Sequence, residues 1–376
     1  MPTRVSSVNN TNGLYATYNM LDQIRRFCAG FGDGLTSSYA GTGDGALTNL
    51  DSTVNSITET WTLTCTATAV NGGTFSVVGS VSGAQASATV GVAYSNTFLS
   101  FTIADGAIDF ALGDAFTVNI TQGALAAINR RWTILRYDTS IAERELIMMA
   151  PGLDGAQQIY CGVKCYQDVG ADYYNLAVAG MRGYVAGNTF ATQPGISGVF
   201  GIPGHNVAIN YWLRVNGQSL NCVMKVGTPV YESFGVGRFF QSGLPSQYPQ
   251  PLFVSAPLTS QAATRYSDTV HSFGWKGNRA NLKMNFNDGT WKQPLVHPFA
   301  TTLLANQVRP TGATYSVKPL ELYDATNKYG YLDGMFHITG FDNVVENTLV
   351  IDGKTYLVVQ DVGRTGFGDY VAMILD

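Results

Sequence analysis

Trp61-Thr62-Leu63-Thr64-Cys65-Thr66-Ala67 alternates apolar and polar side chains, the two-residue period of a strand with one face buried. Asn71-Gly72-Gly73 follows as a turn, and Thr74–Val78 reads as the returning strand. Ala86–Val90, Leu99–Ile103 and Ala115–Ile120 repeat the pattern, punctuated by Gly83, Asp105-Gly106 and Gly113-Asp114. So many short strands in roughly 60 residues imply a compact β-sandwich or barrel.

Charge sets the same block apart. Between Phe27 and Asn129 there is no lysine or arginine, yet Asp33, Asp44, Asp51, Glu59, Asp105, Asp109 and Asp114 fall there. All 22 basic residues lie outside, so a formal charge of −7 interrupts a remainder of +3. Arg130-Arg131-Trp132-Thr133-Ile134-Leu135-Arg136-Tyr137 then returns abruptly to mixed composition. Such edges predict a small acidic β-sandwich module, Ig-like in size, inserted at 43–123. The main body then comprises residues 1–42 (arm, helix and linker) and 124–376.

In residues 1–42, the polar run to Gly13 reads as an arm or loop. Leu14, Tyr18, Leu21, Ile24 and Cys28 form one helical stripe, predicting a helix over Tyr15–Ala29 that ends at Gly30. Residues 35–58 read as a Gly/Thr/Ser linker. Gly41-Thr42-Gly43-Asp44-Gly45 lacks the lysine of a phosphate-binding loop.

The body is expected to be mostly β. Trp132–Tyr137 with Arg144–Met149, and Gln158–Tyr166 with Tyr173–Ala179, read as strand pairs. Asn216-Gly217 between Ala208–Val215 and Gln218–Val226 predicts a type I′ hairpin. Asn287-Asp288-Gly289-Thr290 marks a further hairpin. Strands are expected at Met335–Thr339, Thr348–Ile351, Thr355–Asp361 and Tyr370–Leu375, with Asp352-Gly353 as a turn. The segment 240–265, with Pro245, Pro249, Pro251 and Pro257, reads as an irregular arm reaching a neighbouring subunit.

Composition restricts the function. Charged residues are only 13% of the chain and there are 42 glycines. A free monomer usually carries more charge, so the surface is expected to be partly covered by neighbours. A net charge of −4 disfavours a general nucleic-acid binder. No apolar run is long enough for a transmembrane helix, and no secretion signal is visible. Cys28, Cys65, Cys161, Cys165 and Cys222 are odd in number and irregularly spaced, as expected of buried thiols in a reducing compartment.

The search for chemistry assigns no catalytic, cofactor-binding or metal-ligating residue. Cys161 and Cys165 share a strand face but lie about 13 Å apart along it, too far for one metal. Asp105, Asp109 and Asp114 are turn acids or, alternatively, calcium ligands without EF-hand spacing. His205, His271, His297 and His337 show no metal-binding spacing. A triad of His271 with Ser267, Asp268 or Ser272 can be drawn, but no nucleophile elbow supports it. Glu143 and Glu145 read as surface charge. Tyr173-Tyr174, Tyr211-Trp212 and Phe239-Phe240 are either core packing or a binding platform.

Residues 130–376 resemble virion structural proteins of tailed bacteriophages. The runs that carry the likeness are Arg131–Tyr137, Ala171-Asp172-Tyr173-Tyr174-Asn175-Leu176, Lys225-Val226-Gly227-Thr228-Pro229-Val230-Tyr231-Glu232, Ala263-Thr264-Arg265-Tyr266-Ser267-Asp268, Tyr331-Leu332-Asp333-Gly334 and Gln360-Asp361-Val362-Gly363-Arg364-Thr365-Gly366-Phe367. The 61–121 block resembles the small Ig-like or β-sandwich modules such proteins carry as insertions. The resemblance implies a non-enzymatic subunit of a tail, baseplate or neck, a homo-oligomer (ring or trimer) bound to other virion proteins and located in the virion. It implies no cofactor. Rival expectations are a host receptor- or glycan-binding tail protein, a head decoration protein and a virion polysaccharide-degrading enzyme.

Overall fold

The computed structural model describes residues 2–155, 157–243, 250–268, 271–277, 281–299 and 315–376. Strand β1 (Thr3–Val8) precedes helix α1 (Ala16–Ala29). Next come β2 (Asp33–Ala40), β3 (Ala46–Ser52), β4 (Glu59–Ala69), β5 (Gly72–Gly79), β6 (Gly83–Thr89), β7 (Ala93–Ser95), β8 (Leu99–Ala104), β9 (Ala115–Thr121) and the one-turn α2 (Ala124–Ala127). Then follow β10 (Thr133–Asp138), β11 (Glu145–Ala150), β12 (Ile159–Asp168), β13 (Tyr173–Met181), β14 (Phe200–Ile202), β15 (Ile209–Val215), β16 (Ser219–Lys225), β17 (Tyr231–Arg238) and β18 (Phe240–Gln241). The last are β19 (Leu252–Ser255), β20 (Leu282–Asn285), β21 (Trp291–Lys292), β22 (Leu295–His297), β23 (Lys318–Tyr323), β24 (Lys328–His337), β25 (Thr348–Ile351), β26 (Lys354–Gln360) and β27 (Tyr370–Ile374). The protein is mostly β, with α1 its one substantial helix among the described residues.

The chain divides into two compact units. One is Arg26–Arg131; the other, the body, is Met1–Arg25 with Trp132–Asp376. In the small unit a five-stranded sheet, β2-β9-β4-β5-β6, and a three-stranded sheet, β3-β8-β7, share one core. Trp61, Leu63, Phe75, Val77, Phe116 and Val118 from the first meet Tyr94, Leu99, Phe101 and Ile103 from the second. The unit is thus a β-sandwich. Its order, with consecutive β4, β5 and β6 in one sheet, differs from the ABED/CFG arrangement of immunoglobulin constant domains.

The expected linker at 35–58 is a correction. It contains β2, paired with β9, and β3, paired with β8. Asn49 has φ +52, and the β3 register shifts between Thr48 and Asp51. This bulge breaks the two-residue period by which the strand would have been recognised.

In the body, sheet β1-β15-β16-β17-β19-β20-β21 faces sheet β22-β23-β24-β27-β26-β25, to which β18 adds beside β24. Trp212, Val223, Phe253 and Met284 from the first sheet pack with Leu320, Met335, Leu357 and Val371 from the second. A third sheet, β10-β11-β12-β13-β14, lies with β12 and β13 against β17. Within α1, Tyr18, Leu21, Ile24 and Cys28 are buried as the stripe predicts. The Ala16 N–H donates to Asn206 Oδ1 at 3.0 Å, and Gly30, at φ +74, ends the helix in the left-handed conformation.

Three further expectations change. The polar N-terminus is not all loop, because Thr3–Val8 pairs antiparallel with β15. The supposed arm at 240–265 contains β19, a fully buried strand between β17 and β20. Its flanking prolines, Pro251 and Pro257, mark the strand's ends rather than its absence. Residues 244–249 of that segment lie outside the described residues. The hairpin at Asn216-Gly217 forms, but neither residue has the positive φ of a type I′ turn. The Asn216 side chain instead accepts from the Gln218 and Ser219 N–H groups at 2.8 and 2.9 Å. Asp352-Gly353, at φ +51 and +74, has the positive dihedrals that a type I′ turn needs.

Candidate functional site

A group of ionisable side chains in the body has a buried centre. Glu232 on β17 and His271 are both fully shielded, and His271 Nδ1 lies 2.5 Å from Glu232 Oε1. Burial pushes the Glu232 carboxyl up from its ordinary 4.5 to about 7, partly opposed by the hydrogen bond with His271. Beside them Asp361, directly after β26, accepts from the Phe273 N–H at 2.6 Å, from Lys276 Nζ at 2.7 Å and from Arg364 Nη1 at 3.2 Å. Lys276 also pairs with Asp369. These contacts tie the segment 271–276 to the end of β26 and the loop before β27. They join stretches about 90 positions apart in sequence.

This arrangement is not the triad drawn from sequence. The Ser272 hydroxyl donates to Asp361 at 3.4 Å, and Asp268 accepts from the Arg265 N–H of its own turn. His271 Nε2 and Glu232 Oε2 have no hydrogen-bond partner among the described residues. A surface cavity of about 280 Å³ lined by Val230, Tyr266, Ser267, Asp268, Val362, Gly363 and Arg364 meets the cluster through Arg364, but neither Glu232 nor His271 lines it. Buried in this way, the pair closes the fold from within.

A second buried polar group spans the two facing sheets. Arg214 on β15 donates to Asp333 Oδ1 on β24 at 3.0 Å, and Asn216 donates to Asp333 Oδ2. The Trp132 indole N–H donates to the Asn216 carbonyl at 2.6 Å. Asn216 is legible in the sequence as a turn residue, whereas no motif marks the pairing of Arg214 with Asp333. The available signal was Arg214 inside the apolar run Tyr211-Trp212-Leu213, where a charge must find a partner.

The other singled-out residues lie apart. His205 bonds the Ala208 carbonyl, His297 lies on β22 and buried His337 packs edge-on to Phe299. Glu143 pairs with Lys164 at 2.6 Å and Glu145 with Arg136 at 3.0 Å. Tyr211, Trp212 and Phe239 are core residues, while Tyr174 packs on Tyr15 and Phe240 on Tyr331. Cys161 and Cys165 are buried, and burial pushes both thiols up.

The chain matches no protein-family model and no curated protein.

In the small unit, the Asp114 carboxylate is bonded by groups of the unit itself. It accepts from the N–H groups of Ala111, Gly43 and Thr42 at 2.9–3.0 Å and from the Tyr39 hydroxyl at 2.8 Å. Burial alone would raise its pKa, but these donors hold it well below the usual carboxylate range. Asp109 accepts from the Asn71 N–H at 2.8 Å, a bond to a different loop 38 positions away in sequence. Among the described residues no three His, Cys, Asp or Glu side chains converge to hold a metal ion. No described helix is long and apolar enough to cross a membrane.

Proposed function

We propose that this chain is a structural subunit of a tailed-bacteriophage virion, in the tail, baseplate or neck. It acts by symmetric self-assembly and by contact with other virion proteins. One observation carries the assembly half of this reading. Two sheet edges of the body, β1 and β25, pair with no further strand among the described residues and carry exposed apolar side chains, Val5 at 61% exposure and Val350 at 73%. A soluble monomer protects such edges with charge, proline or a covering segment, whereas a subunit covers them with a neighbour. The body's strongest polar groups point inward and lock its sheets together, which suits a load-bearing role. The virion half rests on the resemblance of residues 130–376.

The test is the mass of the purified full chain over a concentration series, with immunogold labelling of particles released from the cells that make it. A closed oligomer, labelled at one defined position on the particle, is expected. A chain that stays monomeric throughout and labels no particle would overturn the proposal.

A further inference from the structure

The strands of the small unit run alternately up and down, so its loops collect at two ends. The chain enters and leaves at one end, beside residues 53–58, 80–82 and 96–98. The far end gathers residues 41–45, 70–71, 90–92 and 105–114. Charge is divided between these ends. The near end holds Asp33, Asp51 and Glu59 with Arg26, Arg130 and Arg131, and is neutral. The far end holds Asp44, Asp105, Asp109 and Asp114 with no basic residue, so the unit's whole net charge of −4 lies there.

The same far end carries four large apolar side chains in solvent: Val70 at 83% exposure, Val92 at 56%, Ile108 at 57% and Leu112 at 68%. They come from three different loops, and those loops are held by hydrogen bonds to one another or to adjoining strands. The Asn71 N–H donates to Asp109, the Ile108 N–H to Asp44 at 2.8 Å, the Val90 N–H to the Gly73 carbonyl and the Gly91 N–H to the Ile103 carbonyl. The surface is therefore pre-shaped, which lowers the ordering cost of binding.

We infer that this end is a docking surface for a protein partner presenting an apolar depression rimmed by lysine or arginine. The inference rests on the assembly reading only in taking contact with other proteins as the chain's work. Charge selects the occupant. Exposed Asp44 and Asp109 and half-buried Asp105, with buried Asp114 behind them and no cation at this end, repel nucleic acid and anionic lipid headgroups, and two such tips repel each other. Apolar loop tips at an end that carries acids and no cation fit a complementary partner, one with an apolar centre and basic side chains beside it.

The test uses the full chain and two synthetic probes, an amphipathic leucine–lysine peptide and its leucine–glutamate counterpart. The first should bind, more weakly as salt rises, and the second should not. The triple variant Val70→Ser, Ile108→Ser, Leu112→Ser should weaken binding roughly tenfold or more. Asp105→Asn with Asp109→Asn, which keeps the side-chain shapes, should lower affinity and flatten the salt dependence. Equal binding by all variants, or by both peptides, overturns the inference. So does self-association of the full chain that the tip variants abolish, since a second copy would then be the occupant. The mass of the full chain is read separately, so failure of the tip is distinguishable from failure of the assembly reading.

Discussion

The Arg214 guanidinium donates to the Asp333 carboxylate at 3.0 Å between two facing sheets, and both side chains are buried. Removing one partner strands a charge in the core. Asp333→Ala should therefore cost about 3–5 kcal/mol, read as a lower urea midpoint by tryptophan fluorescence. Arg214→Met with Asp333→Leu removes both charges and should recover much of that loss. A double variant as unstable as Asp333→Ala would show that the pair's role is not electrostatic compensation.

Glu232 makes stability depend on pH in an unusual direction. Its carboxyl is pushed up from 4.5 to about 7 in the folded chain, so the folded state holds the proton more tightly than the unfolded one. The contribution is fully present below pH 4.5 and is lost as pH rises through 7, with a slope of at most about 1.4 kcal/mol per unit. His271, Asp361 and Arg364 all face the group. The difference between the wild type and Glu232→Gln isolates it. Wild-type urea midpoints should lie level with the variant's near pH 4.5, where both side chains are neutral, and fall below them as pH rises to 8; parallel profiles would refute the assignment.

Asp114 works in the opposite sense. Held well below the usual carboxylate range, it stabilises above its ordinary 3.8, and that contribution is lost as pH falls through the depressed value. Asp114→Ala leaves the Thr42, Gly43 and Ala111 N–H groups and the Tyr39 hydroxyl without their acceptor. A cost of about 2–4 kcal/mol to the small unit is expected. Limited proteolysis should show cleavage near 41–45 and 105–114 in the variant at protease levels that spare the wild type. Unchanged resistance would mean that the loops are held by packing alone.

Legibility in the sequence followed the local signal. Trp61–Ala67 and the Asp352-Gly353 turn were readable because period and turn chemistry agree there. β3 was hidden by the bulge at Asn49, and β19 by the prolines around it. The buried polar clusters were the least readable. Glu232 and His271 are 39 positions apart, and Arg214 and Asp333 are 119 apart. No local period connects such partners, and only the facing of two sheets brings them together. The apolar tips were hidden for the same reason, since Val70, Val92 and Ile108 are neighbours only through the strand order.

The limits of the small unit decide whether it can be removed. A Cβ on Gly30 would lie 3.1 Å from Arg131 Cγ, so the chain leaves the unit beside the point where it enters. Excising residues 31–130 and bridging Gly30 to Arg131 with a short Gly-Ser linker should leave the body folded, with its five-stranded β10–β14 sheet and facing sheets intact. Excising 43–123 instead deletes β9 and leaves β2 without the strand it pairs with along Thr36–Ala40. That orphaned edge should promote aggregation. Circular dichroism and light scattering of the two deletions check this. A soluble, folded product from the 31–130 excision and an aggregating one from 43–123 are expected. The reverse order would place β2 with the body.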